Sequence, residues 1–229
     1  MYFDPLYIVF MLPGVVLSLL ATLYVKSTFS KYARVRNSSG LTGAQAAYQM
    51  LRASGVNDVR IEMTSGFLSD HYDPTTKTLR LSRENYGEDS ISAVGVACHE
   101  AGHALQHAQG YLWLGMRSAL VPVVNIGSRF SYFVFVLGYL FQSPALLYIG
   151  CGLFALAVLF SIVTLPVEWD ASARAKVAIQ RSMLLNPRET QSAASVLNAA
   201  FMTYVASAVS SLLVLIYYIL RANSSSRRR

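Results

Sequence analysis

The sequence is short of charge. Only 14% of its 229 residues are Asp, Glu, Lys or Arg, against about 25% in an average soluble domain. That scarcity excludes a strongly charged disordered chain and argues against an ordinary soluble enzyme. Cysteine is scarcer still. There are two, Cys98 and Cys151, the second inside an apolar run, so no disulfide framework is expected. Internal repeats are absent too. What is plentiful is apolar surface: 54% of residues are hydrophobic and the mean hydropathy is +0.40. These values point to a membrane protein with room for one small extramembrane domain. The net charge of +7 comes from 19 basic against 12 acidic residues. In such a chain a basic excess sets topology rather than contacting nucleic acid, so a lipid bilayer is the expected partner and nucleic acid is not.

Four apolar runs follow. The first is a span over residues 1–25, whose apolar core of about 20 residues suffices for a hydrocarbon thickness of about 30 Å. It starts with Asp4 and no Lys or Arg, and its basic residues Lys26, Lys31, Arg34 and Arg36 come afterwards. A signal peptide has the reverse order, so an uncleaved anchor is expected. The other spans are 117–141, 144–166 and 199–220, with the short turn Gln142-Ser143-Pro144 between the second and third. Arg129 and Asn125 interrupt the second span. An Arg in lipid costs about 2.5 kcal/mol or more, so Arg129 is expected to face protein or water, or to snorkel. Residues 221–229 read as a disordered basic tail.

Two polar segments remain, 26–116 and 167–198, and an even number of spans between them puts both on one side. With Arg117 at the boundary they carry ten and four Lys+Arg, against four beyond residue 220. The count favours the cytoplasmic side for both, with the basic tail as the one opposing feature. The first segment reads as a small α+β unit. A helix is predicted over 42–54, with Ala46, Met50 and Ala53 on one face. Strands are predicted over 59–63, 66–71 and 78–82, with Asp73-Pro74-Thr75-Thr76-Lys77 as a turn, forming a small antiparallel sheet. A second helix runs over 90–109 and stops at Gly110.

That second helix carries His99-Glu100-Ala101-Gly102-His103, the pattern H-E-x-x-H. Positions i and i+4 share one helix face, so both imidazoles can hold one Zn²⁺. The intervening glutamate, Glu100, can act as general base on a water activated by the metal. The plain alternative is a polar face bearing two ordinary histidines. Against it, three of the four histidines lie between His99 and His107, beside small residues that allow close approach. His107 stands one further turn along. One ion cannot reach three successive turns, so His107 is expected to touch a ligand from outside or to lie at the surface.

A third ligand is needed, and Glu168 is the best candidate. It opens the second polar segment after Pro166, which fits a helix start. Two histidines and a glutamate form a catalytic zinc set. His71 is the alternative. Asp170 can hold a ligand histidine or pair with Arg174 at i+4, and the two readings stand level.

These residues resemble a known family. The stretches Leu68-Ser69-Asp70-His71-Tyr72-Asp73-Pro74, Leu79-Arg80-Leu81-Ser82, Ala97-Cys98-His99-Glu100-Ala101-Gly102-His103-Ala104, Arg117-Ser118-Ala119-Leu120-Val121-Pro122-Val123 and Leu165-Pro166-Val167-Glu168-Trp169-Asp170-Ala171-Ser172 resemble the YugP-type neutral zinc metallopeptidases of bacterial membranes. The resemblance covers nearly the whole chain. It implies a multi-pass protease of the bacterial cell membrane, with Glu168 at the third-ligand position. More distantly, the chain is similar to the HtpX and CAAX-processing proteases, in which the late glutamate opens an E-x-x-x-D motif. Here the fourth position on is Ser172, so that aspartate's role does not carry over; Asp170 is one substitute. In gluzincins a strand before the zinc helix pairs with extended substrate, and residues 66–71 are placed to do so. His71, Tyr72 or Arg174 could then stabilise an oxyanion, although local turn or strand bonds are the simpler reading of each.

The expectation is therefore an α-helical membrane protein with four transmembrane helices and a small gluzincin-like α+β metalloprotease domain on the cytoplasmic side. Its substrate would be a polypeptide in or near the membrane. A homo-oligomer or a membrane partner protein is left open. The rival is a non-catalytic scaffold or chaperone retaining a metal site, in which Glu100 is dispensable. A site-2-type intramembrane protease fits less well, because Ser90, Ser92, Gln106 and Gln109 make the H-E-x-x-H helix too polar for lipid. A transporter built on Asn125 and Arg129 fits poorly with so large a polar insert.

Overall fold

The computed structural model describes residues 4–66 and 69–226. The elements are α1 (Pro5–Ala33), α2 (Gly43–Ala53), β1 (Arg60–Thr64), β2 (His71–Asp73), β3 (Thr78–Ser82), α3 (Arg83–Gly87), α4 (Ile91–Ala108), α5 (Leu112–Leu140), α6 (Pro144–Arg181) and α7 (Pro187–Ser226). Helix dominates, and α1, α5, α6 and α7 are long and apolar enough to cross a membrane.

These helices are longer than the apolar runs that announce them. Pro166, expected at a helix start, lies inside α6, and Pro187 opens α7 well before its apolar stretch. The change from apolar to polar sequence marks a change of surroundings, not a break in main-chain hydrogen bonding. The proline removes one donor, but no glycine or polar turn cluster accompanies it to end the helix. The last helix likewise continues through Ser224 to Ser226, where a disordered tail was expected. Arg227, Arg228 and Arg229 lie outside the described residues.

The chain divides into two compact units. One comprises Met1–Thr22, Met116–Leu165 and Thr203–Arg229. Its core joins Phe135, Leu147, Cys151, Tyr217, Tyr218 and Ala222, with the Phe135 and Tyr218 rings stacked at 3.8 Å. Asp4 ties the start of α1 to α7: it accepts from Tyr217 Oη at 2.9 Å and pairs with Arg221 Nε at 3.2 Å. Arg221 also donates to Tyr139 Oη at 3.2 Å. Asn125 and Arg129, one turn apart on α5, are both exposed in this unit.

The other unit comprises Leu23–Gly115 and Pro166–Met202. Its core packs α2, β3 and α4 with the later part of α6 and the early part of α7, through residues such as Met50, Leu79, Leu81, Val94, Ala101, Ile179 and Leu197. Thr42 and Gln45 cap the start of α2 reciprocally, as a capping box. Ser90 caps α4, its Oγ accepting from Ala93 N at 3.1 Å.

The sheet corrects an expectation. It is mixed, not antiparallel, with order β1-β3-β2: β1 runs parallel to β3 and β2 antiparallel to it. Alternation identifies a strand but not its neighbour. β3 is the most buried strand, so it takes the centre, where both of its edges are paired. The strand expected over 66–71 is instead the three-residue β2, and Phe67 and Leu68 lie outside the described residues. The two aspartates of the Ser-Asp-His-Tyr-Asp-Pro stretch do structural work. Asp73 accepts from Thr75 N at 2.9 Å, Thr75 Oγ1 at 2.6 Å and Thr76 Oγ1 at 2.7 Å, closing the β2–β3 turn. These bonds hold its carboxyl well below the usual carboxylate range. Asp70 accepts from Ser82 N at 2.7 Å and Asn85 Nδ2 at 2.9 Å, fixing the passage from β3 into α3. Replacing Asp70 by Ala is expected to destabilise this unit by about 1–3 kcal/mol, because two donors lose a charged acceptor. A lowered Tm with unchanged helical circular dichroism at low temperature checks this.

Candidate metal centre

The centre lies between α4 and α6. Helical spacing stacks His99 and His103 edge to face, with ring centroids 4.8 Å apart. Glu168 comes from α6, and the approach is close because position 102 is glycine. A Cβ there would lie 2.5 Å from the main-chain oxygen of Ala171. No side chain fits at that distance, so the H-E-x-x-H helix depends on glycine to meet its partner.

The ligating atoms converge. His99 Nε2 lies 3.1 Å from Glu168 Oε2, and His103 Nε2 lies 3.6 Å from the same oxygen. Potential ligand atoms of His99, His103 and Glu168 all lie within 4.8 Å of one another. Glu168 is only 1% exposed. Burial works to raise its pKa, but the hydrogen bonds and charges of His103 and His99 outweigh this and hold the carboxyl far below its ordinary range. Burial also works to lower the His103 pKa, yet Glu168, Glu100 and Gln106 together raise it. Two imidazoles and a carboxylate, dehydrated and aimed at one point, are the donor set and setting that zinc takes in catalytic sites. The residues present therefore fit the ion. Cys98 is no competitor: it packs in the core, and burial pushes its thiol up to about 12.

The far side of each ring is also held. His99 Nδ1 meets Ser172 Oγ at 3.1 Å, and His103 Nδ1 meets Gln106 Oε1 at 2.9 Å. Neither partner was singled out as a site residue from the sequence. Ser172 stands one helical turn after Glu168 on α6, so the same face of that helix presents the carboxylate to one nitrogen of His99 and the hydroxyl to the other. Gln106, three residues after His103 in a buried stretch, had one signal: an amide in an apolar helix needs partners. Asp170 makes the i+4 pair with Arg174, and its link to a ligand histidine is indirect. Its Oδ2 accepts from Gln106 Nε2 at 2.8 Å, reaching His103 through the amide, and also pairs with Arg174 Nε.

The remaining candidates have partners of their own. Tyr72 Oη and His107 Nδ1 are 2.9 Å apart, joining β2 to α4. Burial, with the charges of Asp58 and Asp73, pushes the Tyr72 phenol up to about 12, so it stays protonated. Arg174 donates to Gln109 Oε1 as well as Asp170, and lies 5.5 Å from the Tyr111 ring centroid. His71 is exposed, with Nδ1 2.8 Å from the Ser69 carbonyl oxygen, and it is not part of the metal-capable group.

The family model described as "Putative neutral zinc metallopeptidase" matches residues 7–223. The chain belongs to this family. It is also 45% identical over 204 residues to a Bacillus subtilis (strain 168) protein named "Putative membrane protease YugP", covering 89% of this chain and 91% of that protein. No solved structure matches the chain. Membership of the neutral zinc metallopeptidase family makes Zn²⁺ the expected cofactor, and the His99–His103–Glu168 group is able to hold it.

Gly102→Ala is expected to force α4 and α6 apart. Stability should fall by about 1–3 kcal/mol. Zinc bound by the purified protein should fall with it, because the displacement separates Glu168 from the two histidines. Differential scanning calorimetry and metal analysis read the two effects.

Proposed function

We propose that this neutral zinc metallopeptidase is an endopeptidase that hydrolyses peptide bonds of membrane or membrane-proximal polypeptides. The observation that carries the proposal is the convergence of His99 Nε2, His103 Nε2 and the buried Glu168 carboxylate on one point. Glu100 follows His99 on the same helix. These three residues are the proposed ligands and Glu100 the proposed general base. Zinc held there supplies a Lewis acid that polarises a carbonyl and makes water acidic enough to be a nucleophile near neutral pH. Glu100, half-buried, accepts the proton of the attacking water on a carboxylate oxygen and returns it to the departing amine nitrogen. Ser172 and Gln106 keep the imidazoles oriented.

Substrate would lie extended along β2. This strand is at an edge of the sheet, and the Tyr72–His107 hydrogen bond links it to the H-E-x-x-H helix. Arg174 is held by Asp170 and Gln109, which favours a supporting role for it. The Tyr72–His107 pair is the better candidate to meet the substrate carbonyl oxygen. The domain is gluzincin-like on this reading, because its third ligand is a glutamate from a second helix. The basic residues of segments 26–116 and 167–198 support a cytoplasmic location for the site.

The decisive comparison is native protein beside Glu100→Gln and Glu168→Gln, assayed on an unfolded polypeptide in one detergent. Glu100→Gln should keep about one zinc and lose about 10²–10⁴-fold in cleavage rate. Glu168→Gln should lose both zinc and activity. Cleavage at the native rate by Glu100→Gln would overturn the protease reading in favour of a scaffold retaining a metal site. The location has a separate test. Ser65→Cys introduces an exposed thiol while Cys98 and Cys151 are buried. A membrane-impermeant maleimide should label it in inverted vesicles and not in intact cells.

A further inference from the structure

We propose that Gln106 fixes the tautomer of His103, and so decides which ring nitrogen is offered to a metal. The inference rests on the zinc-peptidase reading only for its metal-binding readout. Gln106 is fully buried, one turn beyond His103 on α4. Its side chain makes three hydrogen bonds. Nε2 donates to the Val167 carbonyl oxygen at 2.8 Å and to Asp170 Oδ2 at 2.8 Å, while Oε1 lies 2.9 Å from His103 Nδ1.

A primary amide has two N–H hydrogens and one carbonyl oxygen. Both hydrogens here meet groups that only accept: a main-chain carbonyl and a carboxylate paired with Arg174. Turning the amide over would bring its oxygen against both acceptors and leave its hydrogens facing His103. The amide is therefore held one way, and its oxygen can only accept from His103. Nδ1 must carry the hydrogen. In the neutral ring the free lone pair is then on Nε2, the atom facing Glu168 Oε2 at 3.6 Å.

His99 differs. Its Nδ1 meets a serine hydroxyl, which rotates and can donate or accept, so Ser172 orients the ring without choosing its tautomer. His103 is the locked member of the pair. Its lock is a neutral amide, with the Asp170 charge one hydrogen bond further away. Because Val167 and Asp170 flank Glu168 in sequence, the same side chain also holds the stretch of α6 that carries the carboxylate.

The test uses full-length protein in detergent, metal-free, with ring-¹⁵N histidine, at a pH where the imidazoles are neutral. Nitrogen chemical shifts report the tautomer directly. Native His103 should be the Nδ1–H form, and Gln106→Met should show the Nε2–H form or a mixture. Zinc affinity by chelator competition should fall about 10–100-fold in Gln106→Met. Gln106→Glu keeps the size of the side chain and an acceptor for His103, but loses both donors. It should bind zinc more weakly than native protein, and adding Asp170→Asn should recover part of the loss by supplying a donor across that contact. If Gln106→Met does not fold, the same nitrogen shifts on Gln106→Glu decide the matter: its carboxylate still accepts, so His103 should stay in the Nδ1–H form. An unchanged Nδ1–H tautomer in Gln106→Met, or an Nε2–H tautomer in Gln106→Glu, would overturn the proposal. The tautomer measurement needs neither zinc nor turnover, so its result stands apart from the protease test on Glu100.

Discussion

The candidate site exists because one helix backbone can touch another. At position 102 the H-E-x-x-H helix has no side chain, and a Cβ there would sit 2.5 Å from the Ala171 carbonyl oxygen. Everything else at the centre depends on that approach. It brings Glu168, one turn earlier on α6, within hydrogen-bond distance of His99. It brings Ser172 to the far nitrogen of His99, and Val167 and Asp170 to the amide of Gln106. The neighbouring Ala101, Ala104, Ala171 and Ala175 are essentially inaccessible to solvent, so small residues surround the contact. A close-packed interior transmits any change in that spacing directly to the side chains it holds.

The second constraint is a charge kept out of water. A carboxylate that is 1% exposed is costly unless it is paired and hydrogen-bonded. Glu168 is compensated by two imidazoles, and those imidazoles are compensated on their outer sides by a hydroxyl and an amide. The described residues leave no buried side-chain N or O atom without a hydrogen-bond partner. A network satisfied to that degree holds its members in one arrangement, as a metal site needs before the metal arrives.

Much of this was legible in the sequence, and what was missed has physical causes. Helix α4 was readable as a run that stops at Gly110, and the shared face of His99 and His103 follows from the helical repeat alone. The four spans were readable from apolar length. Their true ends were not, because a helix continues its main-chain bonding whether its side chains face lipid, protein or water; hence Pro166 inside α6 and Ser224 to Ser226 inside α7. The sheet residues were recognisable, but their pairing was not. Alternation fixes which face a residue occupies, whereas strand order depends on which strand most needs both edges covered. Ser172 and Gln106 carried the weakest signals, since a bond to the outer nitrogen of a histidine depends on the orientation of that ring.

The sequence by itself determined the local geometry: two histidines one helical turn apart, a glutamate between them, and four apolar stretches long enough to span a bilayer. Each follows from spacing along one element, where the helical repeat leaves no choice. Only the tertiary structure decided which carboxylate faces the histidines and which nitrogen each ring turns towards it. His99 and Glu168 are 69 residues apart. Their meeting depends on a glycine admitting a second backbone, and on an amide and a hydroxyl contributed around that contact. Those are packing relations between separate elements, and no repeat within a single element encodes them.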